Sequence, residues 1–144
     1  MREILFRGKR IDNGEWAYGD LIHLENKFYI SYYYESALTT FINETFEYDG
    51  ISIIGAAPFI EVDPSTVGQY TGLTANGKKI FEGDIIITRY IRPNFLVEYS
   101  EEETEYQAIF FGGGCASLYK YFSSKESKVI GNIHDNPELL ENKP

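Results

Sequence analysis

Two histidines, His23 and His134, are the side chains best suited to moving protons near neutral pH. His134-Asp135-Asn136 reads as a base next to an orienting carboxylate, but neighbours on an extended segment point to opposite faces and do not bond side chain to side chain. A helix cap supplied by Asp135 or Asn136, with His134 at its edge, accounts better for the run. His23 follows Leu21-Ile22 and reads as a surface residue of a strand. Asp20 and Asp84 each follow a glycine ahead of an apolar run. Such carboxylates would serve a hydrolase or a metal-dependent enzyme only if two of Asp20, Asp84 and His134 converged in one pocket. Bonding nearby backbone amides to fix a turn is the commoner role of such an aspartate.

Glu101, Glu102, Glu103 and Glu105 offer carboxylates without the alternating ligand spacing and turn glycine of a calcium loop, so a solvated hairpin tip is expected. Gly112-Gly113-Gly114 is followed by no Lys-Ser/Thr pair and opens no helix, which excludes a phosphate-binding loop. Cys115 has no basic neighbour in sequence to activate it and reads as a buried packing thiol. No catalytic residue, cofactor site or metal site is expected, and the chain is not read as an enzyme.

The elements that hold these residues read as strands. Twelve Tyr and ten Phe in 144 residues, with regularly spaced glycine, favour extended structure over helix. Ile4 to Ile11 and Glu15 to Leu24 form a hairpin about Asp12-Asn13-Gly14. Lys27 to Tyr34, Thr39 to Tyr48 and Ile51 to Ile54 continue the pattern, with a turn at Asp49-Gly50 and a helical turn at Glu35 to Leu38. In the second half Val67 to Leu73, Ile80-Phe81, Asp84 to Tyr90, Phe95 to Tyr99, Tyr106 to Phe111, Cys115 to Phe122 and Lys128 to Ile133 read as strands. Pro93-Asn94 breaks the chain before Phe95, and a short helix opens at Pro137. Trp16 and Tyr18 share one side of their strand and are expected to anchor the interior.

Asn13-Gly14 leading to Gly19-Asp20 is echoed by Asn76-Gly77 leading to Gly83-Asp84. The fold class is therefore mostly β, with antiparallel strands in small-barrel or sandwich-like units, two similar halves and a short C-terminal helix. Glu61 to Ser65, with Pro64, is the expected boundary. It divides residues 1–62 from 66–144, the latter resembling an SH3-like small barrel in outline; one compact unit is the alternative.

A net charge of −9 argues against a broad cationic surface for nucleic acid and suits a basic protein partner. One cysteine forms no intramolecular disulfide, and no run approaches the ~20 apolar residues of a membrane helix. The expectation is a soluble protein of the bacterial cytoplasm. Large rings on both sides of the strand ending at Tyr34 suggest an interaction surface. Its candidates are Phe28, Tyr29, Tyr32, Tyr33 and Tyr34, with Tyr90, Arg89 and Arg92 as a second patch for single-stranded nucleic acid.

Phe6-Arg7-Gly8-Lys9, Asn13-Gly14-Glu15-Trp16-Ala17-Tyr18-Gly19, Val67-Gly68-Gln69-Tyr70-Thr71-Gly72-Leu73, Asn76 through Gly83-Asp84-Ile85 and Gly131-Asn132-Ile133 through Asn136-Pro137-Glu138-Leu139-Leu140 follow one another in this order. Together they resemble the YopX family of bacteriophage and prophage proteins over nearly the whole chain. The chain departs from the family's usual pattern at Thr74-Ala75 and His134. The resemblance implies a mostly β protein of phage origin and carries over no catalytic residue. The expected function is a non-catalytic module that binds a host or phage protein or a second copy of itself, with single-stranded nucleic-acid binding as the alternative and a hydrolase or metal enzyme third.

Overall fold

Asn76 and Gly77 both take positive φ, 49° and 81°, the geometry that lets a two-residue turn follow the twist of its flanking strands. The Asn13-Gly14 loop is wider: Arg10 N donates to Glu15 O at 2.9 Å, and Asn13 Oδ1 accepts from Glu15 N at 2.9 Å. Both loops join antiparallel strands, and the computed structural model is mostly antiparallel β. It describes residues 1–31, 45–48, 51–54, 59–89 and 91–141, with only the backbone of 45–48, 51–54, 91–93 and 121. The expected helical turn at Glu35 to Leu38, the expected turn at Asp49-Gly50 and the first part of the Thr39 to Tyr48 strand lie outside the described residues.

The chain divides into two compact units, Leu5–Val67 and Gly68–Pro144, the latter including Met1–Ile4. In the first, β1 (Phe6–Lys9), β2 (Trp16–Leu24), β3 (Lys27–Ser31) and β6 (Phe59–Val62) lie side by side in the order β6-β3-β2-β1. A separate hairpin pairs β4 (Thr45–Tyr48) with β5 (Ile51–Ile54). Past the end of β1, Arg10 bridges Val62 and Ile11 N donates to Glu61 O at 3.1 Å, so the row of strands curls back on itself at that end without closing a barrel. Inside the curl, Ala17, Ile30 and Val62 pack with Phe6, Leu21, Phe28 and Val67.

In the Glu61 to Ser65 segment, expected as a boundary, Glu61 and Val62 end β6 and a pinned turn follows. Asp63 caps a 3₁₀ turn at Pro64–Thr66, its Oδ1 accepting from Ser65 N at 2.9 Å, and Thr66 Oγ1 accepts from Lys9 N at 2.8 Å. A short polar side chain here satisfies amides that the turn would otherwise leave exposed.

In the second unit the hairpin of β7 (Gly68–Ala75) and β8 (Lys78–Phe81) adjoins a five-stranded antiparallel sheet. Its order is β12-β11-β10-β9-β13, from β9 (Asp84–Thr88), β10 (Ile91–Ser100), β11 (Glu105–Phe110), β12 (Cys115–Ser117) and β13 (Ser127–Asn132). Ala75 and Ile80 of the hairpin meet Ile86, Phe95, Val97, Ala108, Leu118 and Val129, which makes a sandwich-like core.

Three sequence expectations are corrected here. The chain does not break at Pro93, because β10 runs through it with a register shift between Ile91 and Phe95, and a bulge tolerates the missing amide. The Cys115 to Phe122 segment is not one strand: β12 ends at Ser117 and a one-turn helix, α1 (Leu118–Tyr121), buries Leu118 in the core. Cys115 is exposed, not buried, since it opens an edge strand directly after the triglycine loop.

The last segment is a 3₁₀ turn, Pro137–Leu140, whose Asn136 makes no side-chain cap. Asn132 organises the approach instead: its Oδ1 accepts from His134 N and Asp135 N at 3.0 Å each, and its Nδ2 donates to Asp135 Oδ2 at 2.9 Å. A Cβ on Gly131 would lie 2.5 Å from Asn136 Oδ1 and 2.8 Å from Leu139 Cδ1, so any larger residue would displace these side chains where the turn folds over β13.

Burial holds the Tyr106 hydroxyl above the ordinary tyrosine value of 10.0, and the Glu82 carboxylate pushes the same way. An unfolded chain releases that proton at lower pH than the folded one, so the contribution is present below pH 10.0 and is lost as the pH rises past it. Thermal unfolding followed above pH 10 should therefore show a steeper loss of stability in wild type than in Tyr106→Phe. Parallel curves would contradict this environment.

Candidate functional site

The residues first examined for chemistry take separate structural places. Asp84 is 2% exposed at the entrance of β9, and its Oδ2 accepts from Phe81 N at 2.9 Å across the Glu82-Gly83 turn. The glycine of that turn donates to Val97 O and accepts from Ile133 N, each at 2.8 Å, so the carboxylate secures a junction of three segments. Asp84→Ala removes the acceptor of a buried amide and should cost about 1–3 kcal/mol in urea unfolding, with Asp84→Asn losing less. An Ala variant as stable as wild type would refute the assignment.

Asp20 differs from its sequence echo: it is exposed in the middle of β2, opposite Ser31, and opens no strand. His134 is exposed in the Asn132 turn. His23 stacks on Phe28 with ring centroids 4.2 Å apart and planes 6° from parallel. Glu101 to Thr104 form the exposed β10–β11 tip, where Glu103 N donates to Ser100 Oγ. Among the described residues no group of three His, Cys, Asp or Glu side chains is arranged to hold a metal ion.

The expected interaction residues divide. Phe28 faces the first unit's core, while Tyr29 points to the other face. Arg89 is exposed, with its guanidinium 3.8 Å from the Glu126 carboxylate. Tyr32, Tyr33, Tyr34 and Tyr90 lie outside the described residues, as does the side chain of Arg92.

What the first unit turns outward is the candidate site. Residues directly opposite in an antiparallel pair share a face. Gly8↔Ala17, Phe6↔Gly19, Leu21↔Ile30 and Phe28↔Val62 therefore line the inside of the curl. The other face carries Lys9↔Trp16, Arg7↔Tyr18, Ile22↔Tyr29, Leu24↔Lys27 and Ser31↔Phe59, of which Arg7 and Ser31 are themselves buried. Trp16 and Tyr18 thus do not anchor the interior, which corrects the sequence expectation. The physical reason is room. A Cβ on Gly19 would stand 1.9 Å from the Ser31 carbonyl oxygen, and Val62 lies within 2.9 Å of where a Gly8 side chain would begin. The concave side of β1 and β2 accepts only small residues there, so the larger ones go to the convex side.

Leu24, Phe59 and Tyr18 are consequently 60%, 56% and 46% exposed. Ile22, Leu24, Tyr29 and Phe59 enclose an open apolar groove of about 220 Å³. At the other end of the face the Arg7 guanidinium lies 4.6 Å and the Lys9 ammonium 5.5 Å from the Trp16 ring centre. Sequence reading found Tyr29 and missed Ile22, Leu24 and Phe59, because only the pairing register of three strands brings them together.

Fold and site together define an antiparallel β protein of two units, one of which presents an apolar groove on the convex face of its strands. The YopX protein family matches residues 5–141, and the chain belongs to that family. A comparison with curated proteins found no match. Among solved structures, the crystal structure of protein EF1440 from Enterococcus faecalis is similar, with a TM-score of 0.52 and 25% identity over 98% of this chain and 100% of that one. No helix among the described residues is long and apolar enough to cross a membrane.

The segments that carry the family resemblance have structural duties here. Gln69 N donates to Glu82 Oε2 at 2.7 Å and Glu82 N donates to Gln69 O at 3.0 Å, linking Gly-Gln-Tyr-Thr-Gly to Glu-Gly-Asp. Asn94 Nδ2 donates to Leu139 O at 3.1 Å, fastening the Asn-Pro-Glu-Leu-Leu turn to β10.

Proposed function

We propose that this protein is a phage-derived accessory protein that binds another protein through the convex face of its first unit and performs no catalysis. The observation that carries the reading is the exposure of Leu24 and Phe59 around an apolar groove, on the face opposite the unit's own core. Large apolar side chains gathered in this way mark interaction surfaces, whereas singly scattered ones need no explanation. The strand β2 places its bulkier set, Trp16, Tyr18, Ile22 and Leu24, on the convex face, which costs hydration unless a partner covers it.

Phe59→Glu tests this, since the residue is more than half exposed and the change should leave the unfolding midpoint near that of wild type. Tagged wild type produced in its bacterial host should co-purify with one stoichiometric protein, and Phe59→Glu should lose it. Retention of the partner by the variant, or recovery of nucleic acid in its place, would overturn the proposal.

A further inference from the structure

Resting on that docking role, we infer that the groove's occupant is a protein segment carrying one bulky apolar side chain beside one or more Lys or Arg residues. The groove's size and lining give the first half of this description. At about 220 Å³ it falls below the roughly 300–1,000 Å³ of small-molecule pockets, and its walls are Ile22, Leu24, Tyr29 and Phe59. Apart from the Tyr29 hydroxyl these side chains offer no polar group to orient a metabolite. A pocket of this kind suits a single anchoring side chain of a protein partner.

Charge gives the second half. Asp20 shares the convex face two residues before Ile22, Glu61 is paired opposite Tyr29, and exposed Glu25 follows Leu24. Against these carboxylates stands Lys27, whose ammonium is 3.4 Å from Glu61. The other cations of the face, Arg7 and Lys9, are placed over Trp16 at the far end of β2. The groove therefore has an acidic border in a chain of net charge −9, which favours a basic segment and speeds its approach.

Selection from a displayed library of random linear peptides against the immobilised full chain tests the inference. Enriched peptides should share a bulky apolar residue next to Lys or Arg. In fluorescence polarisation a synthetic copy should bind about tenfold more weakly to Phe59→Glu. It should bind about threefold more weakly to the double variant Asp20→Asn, Glu25→Gln, a difference that vanishes at high salt. Circular dichroism confirms that both variants are folded. Peptides that require Phe59 but show no basic bias, and that bind the double variant as well as wild type, would overturn this inference and leave the docking role standing. Peptides indifferent to Phe59→Glu, or no enrichment from a chain that elutes as a dimer dissociated by the same substitution, would overturn the basic-segment occupant. The first of these results would overturn the docking role as well, and the second would name a second copy as the occupant.

Discussion

Gly19→Ala is expected to cost more than about 4 kcal/mol and to unfold the Leu5–Val67 unit under conditions where wild type is folded. The cause is contact with backbone: the new methyl would lie 1.9 Å from the Ser31 carbonyl oxygen and 2.8 Å from its carbon. A flexible side chain swings aside from such an overlap, but a carbonyl held in the β2–β3 ladder does not. Relief requires separating β2 from β3, which breaks the Asp20↔Ser31 and Leu21↔Ile30 pairings and opens the core around Ile30. Proteins hold only some 5–15 kcal/mol of net stability, so the loss is a large share of it. Circular dichroism and urea unfolding would show the change, and a midpoint within the error of wild type would mean that the strands do not approach so closely.

Phe95→Ala is the second large effect, at about 3–5 kcal/mol. Phe95 is fully buried in the second unit, pairs with Ile86 on one side and Phe110 on the other, and meets the Phe110 ring edge-on at 6.0 Å. Truncation removes transfer free energy and leaves a void that the surrounding sheet, tied on both sides of β10, fills poorly. Urea unfolding measures it, and a loss below about 1 kcal/mol would show that the core repacks freely.

Much of this architecture was legible in the residues because turn chemistry is local. Asn76-Gly77 closes its hairpin through positive φ at both positions, and Asn13 supports its loop with its own side chain. The capping role of Asp84 was readable for the same reason, since it reaches an amide three residues away. Facing was less legible. Along β2 the alternating sets are Trp16, Tyr18, Asp20, Ile22, Leu24 and Ala17, Gly19, Leu21, His23. Hydrophobicity alone assigns the first set to the interior, but the close approach of β2 to β3 and of β1 to Val62 admits only the smaller set. That approach is a property of paired strands and is invisible in one strand's composition.

The site was half hidden for a related reason. Tyr29 belongs to a conspicuous run of rings, whereas Leu24 and Phe59 are ordinary apolar residues 35 positions apart that meet through β3. Burial of Cys115 was inferred from the lack of an activating basic neighbour in sequence, and the edge position of β12 decided otherwise. Asn132 gave no signal because its three bonds depend on the turn that it forms.

The outward orientation of the larger β2 face is the claim on which the functional reading stands. Thermal unfolding of Leu24→Glu beside Leu21→Glu measures it most directly, because the two leucines sit on one strand and on opposite faces. The expected result is a midpoint for Leu24→Glu close to that of wild type, with Leu21→Glu, whose carboxylate would enter the Ala17–Ile30–Val62 core, strongly destabilised. The reverse order, with Leu24→Glu the damaging change, would show that the groove is part of the interior and would contradict the account.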